Sequence, residues 1–296
     1  MKKLLYIFNA RAGHGSNVIR RHLLDIVTKC NESGYSITII TTRYAGHATE
    51  LVREYADDYD LILCSGGDGT VNEIVNGMIR VENKKPIAYL PTGTTNDYGS
   101  SLGLPREVSR GIESITGEDL FDVDVGMLND KAFVYVACLG TPVKVTYTTP
   151  QDEKNTWGYM AYVSELIKTL PDIKPYHLKI TTDDRVIEGD YLFAFITNSF
   201  QVSGFKGVTG KDVSLNDGLF ELTLVKNVKN LAELVIPVTT TLATDNPDPR
   251  YIERFKISHA SVECEEEVEW CLDGEFGGKY RQADIRVSHN AVSFLV

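Results

Sequence analysis

The sequence predicts an α/β first half and a β-rich second half, and three observations carry that expectation. Short uncharged runs alternate with helical patterns through the first hundred residues. A glycine-rich corner joins one of those runs to a helix, and beyond about Val125 the apolar residues turn to period-two alternation. Strands and helices in turn at this spacing predict an open, mostly parallel sheet with helices on both faces, whose ligands gather beyond the carboxyl ends of the strands. Alternation in the second half predicts a β-sandwich or open barrel. At 296 residues the chain is long for one core and comfortable for two, with a boundary near residue 125.

Taken in order, Lys3–Asn9 reads as the first strand. Asn9-Ala10-Arg11-Ala12-Gly13-His14-Gly15 is a flexible corner ahead of a helix from about Val18 to Cys30. Ser36–Thr42 is β-branched and strand-like, and a helix over Thr49–Tyr55 follows Gly46. Leu61–Cys64 has the composition of a strand buried on both faces. Gly66, Gly67 and Gly69 then let the backbone turn with its N–H groups uncovered. Val71, Ile74, Val75 and Met78 recur at helical spacing, so this corner opens onto a helix N-terminus, where free N–H groups and the dipole favour an anion, phosphate above all. A carboxylate at Asp68 would repel phosphate unless a divalent cation or a chemical task accompanies it, which suggests a metal-assisted site. The spacing fits neither a P-loop nor a dinucleotide fingerprint. Pro86–Leu90 is a further strand before Pro91-Thr92-Gly93-Thr94-Thr95-Asn96-Asp97. Asn9–Gly13, Thr42, Gly66–Asn72 and Thr94–Asp97 therefore all follow strand ends and are expected to converge on one crevice.

In the second half Phe133–Leu139, His177–Thr182, Tyr191–Asn198, Phe220–Val225, Arg254–Ser258, Ala260–Cys264 and Val268–Leu272 read as strands. Trp157–Leu170 reads as a helix with Met160, Val163, Ile167 and Leu170 on one stripe, and Ala283–Val296 as a strand and hairpin.

Composition excludes several classes. No apolar run approaches the ~18–20 residues of a membrane-spanning helix; the nearest, Leu231–Val238, contains Glu233 and Pro237. The opening Met1-Lys2-Lys3-Leu4-Leu5 has no cleavage site behind it and reads as a buried strand, not a leader. Five cysteines, at 30, 64, 138, 264 and 271, form no CxxC pair and leave one over, which indicates neither zinc nor a disulfide framework and suits a reducing cytoplasm. A net charge of −11 argues against nucleic acid and against purely electrostatic attachment to anionic membranes.

Gly66-Gly67-Asp68-Gly69-Thr70, followed by Asn72-Glu73 and by Pro91-Thr92-Gly93-Thr94-Thr95-Asn96-Asp97, resembles the catalytic domain of the diacylglycerol kinase family of lipid kinases, which also takes in sphingosine kinases. The likeness runs from residue 1 to about 280. It implies ATP contacts at Asn9, Ala10, Arg11, Ala12, Gly13, Thr42, Gly66, Gly67, Asp68, Gly69, Thr70, Val71, Asn72, Thr94, Asn96 and Asp97, with Glu275 close to the nucleotide or metal. It implies a structural Mg²⁺ held by the Asp217 carboxylate and the main-chain carbonyls of Ser214 and Leu219, oxygen ligands that suit a hard cation. Asp273, in Leu272-Asp273-Gly274-Glu275, corresponds to the general base, and Asp68 to the second catalytic carboxylate. The resemblance also returns residues 284–296 to the first domain, leaves 126–283 as a β-rich lipid-substrate domain, and puts the nucleotide in the crevice between the two. The expected setting is the cytoplasm, with peripheral contact at the inner face of the membrane where the lipid substrate lies; a homodimer is compatible with this and nucleic acid is not expected. From the residues alone, Asp217-Gly218 is first a turn signature, Asp273-Gly274 an exposed hairpin loop, Asp97 equally a helix N-cap, and the Glu263–Glu269 run a solvated acidic face. Two other readings stay open. One is a kinase for another lipid or a soluble NAD-kinase-like enzyme, which shares the GGDG corner; the other is a sensor that binds ATP without turnover.

Overall fold

The computed structural model describes residues 1–9, 13–140, 174–202, 209–210, 212–228, 233, 237, 240–241, 244 and 246–296. Ala10, Arg11, Ala12, the expected helix over Trp157–Leu170 and most of Leu231–Val238 lie outside them. Two compact units emerge. One comprises Met1–Val125, Leu215–Asp217 and Ser288–Val296; the other comprises Gly126–Ser214 and Gly218–Val287.

In the first unit β1 (Lys2–Phe8), β2 (Tyr35–Thr41), β3 (Leu61–Gly66) and β4 (Ile87–Pro91) pair in the order β4-β3-β1-β2, all parallel. The uncharged run of β3 is there because every one of its residues is buried. Leu4, Tyr6, Leu61, Leu63, Ala88 and Leu90 face one side, where they share a core with Ile19 and Ile26 of α1 (Gly13–Glu32) and with Val108 and Ile112 of α5 (Val108–Ser114). Leu5, Ile7, Ile62 and Cys64 point to the opposite face and are fully buried as well. Each buried leucine or isoleucine among them contributes about 1.5–3 kcal/mol by leaving water. Helices α2 (His47–Tyr55) and α3 (Asp68–Met78) meet at Gly77, where a Cβ would lie 2.6 Å from the Cβ of Val52. A fourth helix, α4 (Asp97–Ser101), follows the loop after β4. The register sets Phe8 opposite both Thr41 and Ser65, and Gly66 opposite Pro91. All four carboxyl ends therefore lie on one edge of the sheet.

The second unit is antiparallel. The long strand β5 (Leu120–Leu128) pairs through Gly126–Leu128 with β6 (Lys131–Phe133). After β7 (Val136–Gly140) come β8 (Tyr176–Thr182), β9 (Val186–Thr197), β10 (Phe220–Lys226), β11 (Ile252–Ile257), β12 (His259–Leu272) and β13 (Glu275–Leu295). Strands β9 and β12 each pair with β8 along one half and with β7 along the other, so β9-β7-β12-β8 closes a circuit. Phe133, Leu139, Ile180, Ile196, Phe220, Leu222, Trp270 and Ile285 belong to its core. The last residues of β13 serve the first unit, where Phe294 pairs parallel with Ile87 of β4.

Three expectations change here. Phe133–Leu139 is two strands, because the N–H groups of Val134, Tyr135 and Val136 turn to the Asp273 carboxylate. Ala260–Cys264 and Val268–Leu272 are one strand whose register shifts between Glu263 and Val268, leaving Glu265, Glu266 and Glu267 exposed. Ala283–Val296 is no hairpin but the end of one continuous strand of 21 residues. The turn lies upstream at Asp273-Gly274, whose φ values of 49° and 89° are those a tight antiparallel connection requires.

Candidate active site

The corner between β3 and α3 is built by contacts that leave no room for side chains. A Cβ on Gly66 would lie 2.3 Å from Thr70 Oγ1, and one on Gly93, in the loop after β4, would lie 2.4 Å from the Cα of Gly67. The loops after β3 and β4 thus touch backbone to backbone, and Thr92 N–H donates to Gly66 O at 2.8 Å. Gly69 differs, since a Cβ there would meet nothing within 4 Å and the residue is exposed. Thr70 and Val71 N–H both donate to Gly67 O, which starts α3. Earlier first-turn N–H groups have no intrahelical acceptor, so this is an anion-favouring helix start on an open side.

Asp68 is half-buried and caps a neighbouring helix. Its Oδ1 accepts from Tyr98 N–H at 3.1 Å and its Oδ2 from Asp97 N–H at 3.2 Å, the first N–H groups of α4. Burial pushes its carboxyl above the ordinary carboxylate range; the Tyr98 and Asp97 N–H groups pull the other way without cancelling that effect. Glu73, five residues along α3, does the same for α2, accepting from Gly46 N–H at 2.8 Å and Ala48 N–H at 3.0 Å. Helix α3 therefore positions both of its neighbours through charge-assisted caps. Sequence reasoning missed this use of Glu73. The available signal was that α2 begins after Gly46, which brings no capping side chain of its own.

Asn96, in the left-handed region at φ 52°, closes its loop on Gly93. Its Oδ1 accepts from Gly93 N–H and its Nδ2 donates to Gly93 O, both at 2.8 Å. Asp97 is the first residue of α4 and is buried, with the N-cap position falling to Asn96 instead. Thr94 and Thr95 stay exposed at the loop tip. At the far side of the edge, Thr42 N–H donates to Phe8 O at 2.9 Å, next to half-buried Asn9, while Gly13 opens α1. Asn72 accepts from Asn76 Nδ2 along the face of α3, and Val71 is fully buried beneath it. Asn9, Thr42, Gly66–Asn72 and Thr94–Asp97 thus share one edge.

Asp273 and Glu275 belong to the second unit. Asp273 is buried on its turn, and its carboxylate accepts from the N–H groups of Val134 at 2.6 Å, Tyr135 at 3.0 Å and Val136 at 2.9 Å. The Asp273 N–H donates in turn to Val136 O at 2.8 Å. The loop is therefore pinned, not the loose exposed hairpin that composition suggests, though Glu275 beside it is exposed. Of the residues implied as metal ligands, Asp217 is exposed while Ser214 and Leu219 are half-buried, and Gly218 between them has φ 77°. Among the described residues no three His, Cys, Asp or Glu side chains cluster in a way that holds a metal. A site made of one carboxylate and backbone carbonyls is of a different kind, and its all-oxygen donors fit Mg²⁺. No helix among the described residues is long and apolar enough to cross a membrane.

A parallel sheet whose carboxyl edge carries a glycine corner and an open helix start has the form that phosphate-binding units of phosphotransferases take. Comparison with known proteins makes this specific. Residues 3–128 match the family model described as the diacylglycerol kinase catalytic domain. The chain is 32% identical over 280 residues to a diacylglycerol kinase of Bacillus subtilis (strain 168), covering 94% of this chain and 91% of that protein. It is 31% identical over 279 residues to a diacylglycerol kinase of Staphylococcus saprophyticus, covering 94% and 90%. A crystal structure of a candidate diacylglycerol kinase from Bacillus anthracis superposes with a TM-score of 0.84 at 27% identity, covering 99% of this chain and 95% of that one. The chain belongs to the diacylglycerol kinase family, and it is a kinase.

Proposed function

We propose that this protein transfers the γ-phosphoryl group of ATP to a lipid hydroxyl, that of diacylglycerol first, giving phosphatidic acid. The observation that carries this reading is the corner itself. Gly66 and Gly93 are excluded from bearing side chains by contacts inside the protein and Gly67 is tightly packed, whereas Gly69 is a glycine with open space in front of it at the start of α3. A missing side chain that the fold does not require is accounted for by a ligand that approaches the backbone, and the helix start favours a phosphate.

Phosphoryl transfer needs positioning and charge neutralisation more than covalent chemistry. In this reading Gly66–Asn72 and Thr94 hold the phosphates, Asn96 keeps their loop closed, and Asn9–Gly13 and Thr42 line the rest of the nucleotide. Mg²⁺, when bound, neutralises charge developing between the phosphates. Ser214, Asp217 and Leu219 would hold a structural ion of that type. Asp68 fixes α4 and, through it, the loop that bears Thr94. Asp273 is assigned the proton of the attacking hydroxyl, a contribution of about 10²–10⁴-fold, with its carboxylate aimed by the three backbone donors. Lipid access takes place by peripheral contact from the cytoplasm. Phosphorus NMR of the protein with ATP and dispersed diacylglycerol tests the proposal: a lipid phosphomonoester signal should grow as the γ-phosphate signal of ATP disappears. ATP consumption with only inorganic phosphate released would refute it.

A further inference from the structure

The loop from Thr42 to His47 has no assigned task beyond Thr42 itself, yet it is held at several points. Thr42 N–H ties its start to Phe8 O at the end of β1, Glu73 of α3 ties its end through Gly46 and Ala48, and within it Arg43 N–H donates to His47 Nδ1 at 3.1 Å. Gly46, at φ 86°, makes the reversal into α2. On this frame stands Tyr44, which is 56% exposed. Its ring rests on the His47 imidazole, with centroids 4.7 Å apart and planes inclined at 32°, and its hydroxyl donates to Glu50 Oε2 at 2.5 Å. A large exposed ring whose orientation is already fixed loses little freedom when something covers it.

The position of the loop narrows what that something is. It leaves the end of β2 on the same edge as the corner after β3, with β1 between them. Strands about 4.8 Å apart put the two ends about 10 Å from each other, a gap that the ribose and base of a nucleotide cross when its phosphates sit at the corner. We propose that Tyr44 is the stacking surface for the adenine base and that Glu73 is the positioning residue that holds its loop; this rests on reading the corner as the ATP phosphate site.

Calorimetric binding of ATP and of inorganic tripolyphosphate, both with Mg²⁺, to the wild type and to Tyr44→Ala, Tyr44→Phe and Glu73→Gln tests it. Tyr44→Ala should weaken ATP by about 5- to 150-fold, the usual range for loss of one base-stacking ring, and leave tripolyphosphate unchanged. Tyr44→Phe keeps the ring and should recover most of the ATP affinity, and Glu73→Gln, which retains one of two acceptors for the loop, should fall between. Equal ATP affinity in wild type and Tyr44→Ala overturns the stacking role while leaving the phosphate site intact. Equal weakening of both ligands also overturns it, because the change then acts on the phosphates. A wild type that binds neither ligand overturns the corner reading and the base site together.

Discussion

Asp273→Asn is expected to cost the protein stability as well as turnover, and the size of the first effect follows from the geometry. Asparagine keeps one oxygen, which can still serve the Tyr135 and Val136 N–H groups that share Asp273 Oδ1, now as a neutral acceptor. Its amide nitrogen then faces the Val134 N–H where Oδ2 stood at 2.6 Å, donor against donor. Stranding a buried N–H costs about 1–3 kcal/mol, and turning two charge-assisted bonds into neutral ones costs about 0.5–1 kcal/mol each. The sum is about 3 kcal/mol, against a total of about 5–15 kcal/mol for a typical domain. For a unit of this size each kcal/mol shifts the midpoint by about 2–4 °C, so Tm should fall by about 6–12 °C. Calorimetry of both proteins gives the shift, and a rate measurement well below either midpoint gives kcat on folded enzyme. A variant melting within a degree of the wild type would refute the pinned turn. A kcat reduced less than tenfold would remove Asp273 from proton transfer and leave Glu275 and Asp97 as the next carboxylates to test.

Glycine substitutions separate packing from ligand approach. Gly93→Ala should destabilise by about 1–3 kcal/mol, since its Cβ would lie 2.4 Å from backbone. Gly69→Ala should instead stabilise the ligand-free protein by up to about 1 kcal/mol through better helix propensity, yet weaken ATP binding by about tenfold; urea midpoints and a binding titration check both. Asp68 gives a pH signature: because its folded pKa is raised, its contribution is fully present below the usual carboxylate range and is lost as pH rises through the raised value. In that window the wild type should lose stability relative to Asp68→Asn, and parallel urea curves at every pH would contradict it. For the metal, Mg²⁺ at a hundred times its Kd should stabilise the wild type by about 2.7 kcal/mol and Asp217→Ala by far less. Identical melting shifts in the two would exclude Asp217 as a ligand.

Much of the first unit was legible because burial on two faces leaves a mark on composition. Lys3–Asn9, Ser36–Thr42 and Leu61–Cys64 correspond to β1, β2 and β3 within about two residues, and the corner opens onto α3 as its glycines and helical spacing require. The partners of the acidic residues were not legible. Asp68, Glu73 and Asp273 all bind backbone N–H groups far along the chain, and backbone donors carry no residue identity for a pattern to reveal. The same fact hid the break at Val134-Tyr135, which lies within one unbroken apolar, buried run that reads as a strand while its N–H groups serve a turn well over a hundred residues away. In β13, Gly277-Gly278 and Ser288-His289-Asn290 are turn signals that the structure carries through as strand, and only pairing shows that Glu275 and Leu295 end the same strand.

Transfer of label from γ-labelled ATP across a panel of acceptors distinguishes a lipid kinase from its rivals: diacylglycerol and other lipid alcohols in mixed micelles, NAD in solution, and water. Label should appear in a lipid phosphomonoester, with diacylglycerol the preferred acceptor, and be lost in Asp273→Asn held below its melting midpoint. Label in NAD, or in inorganic phosphate alone with every lipid unlabelled, would contradict the lipid-kinase reading.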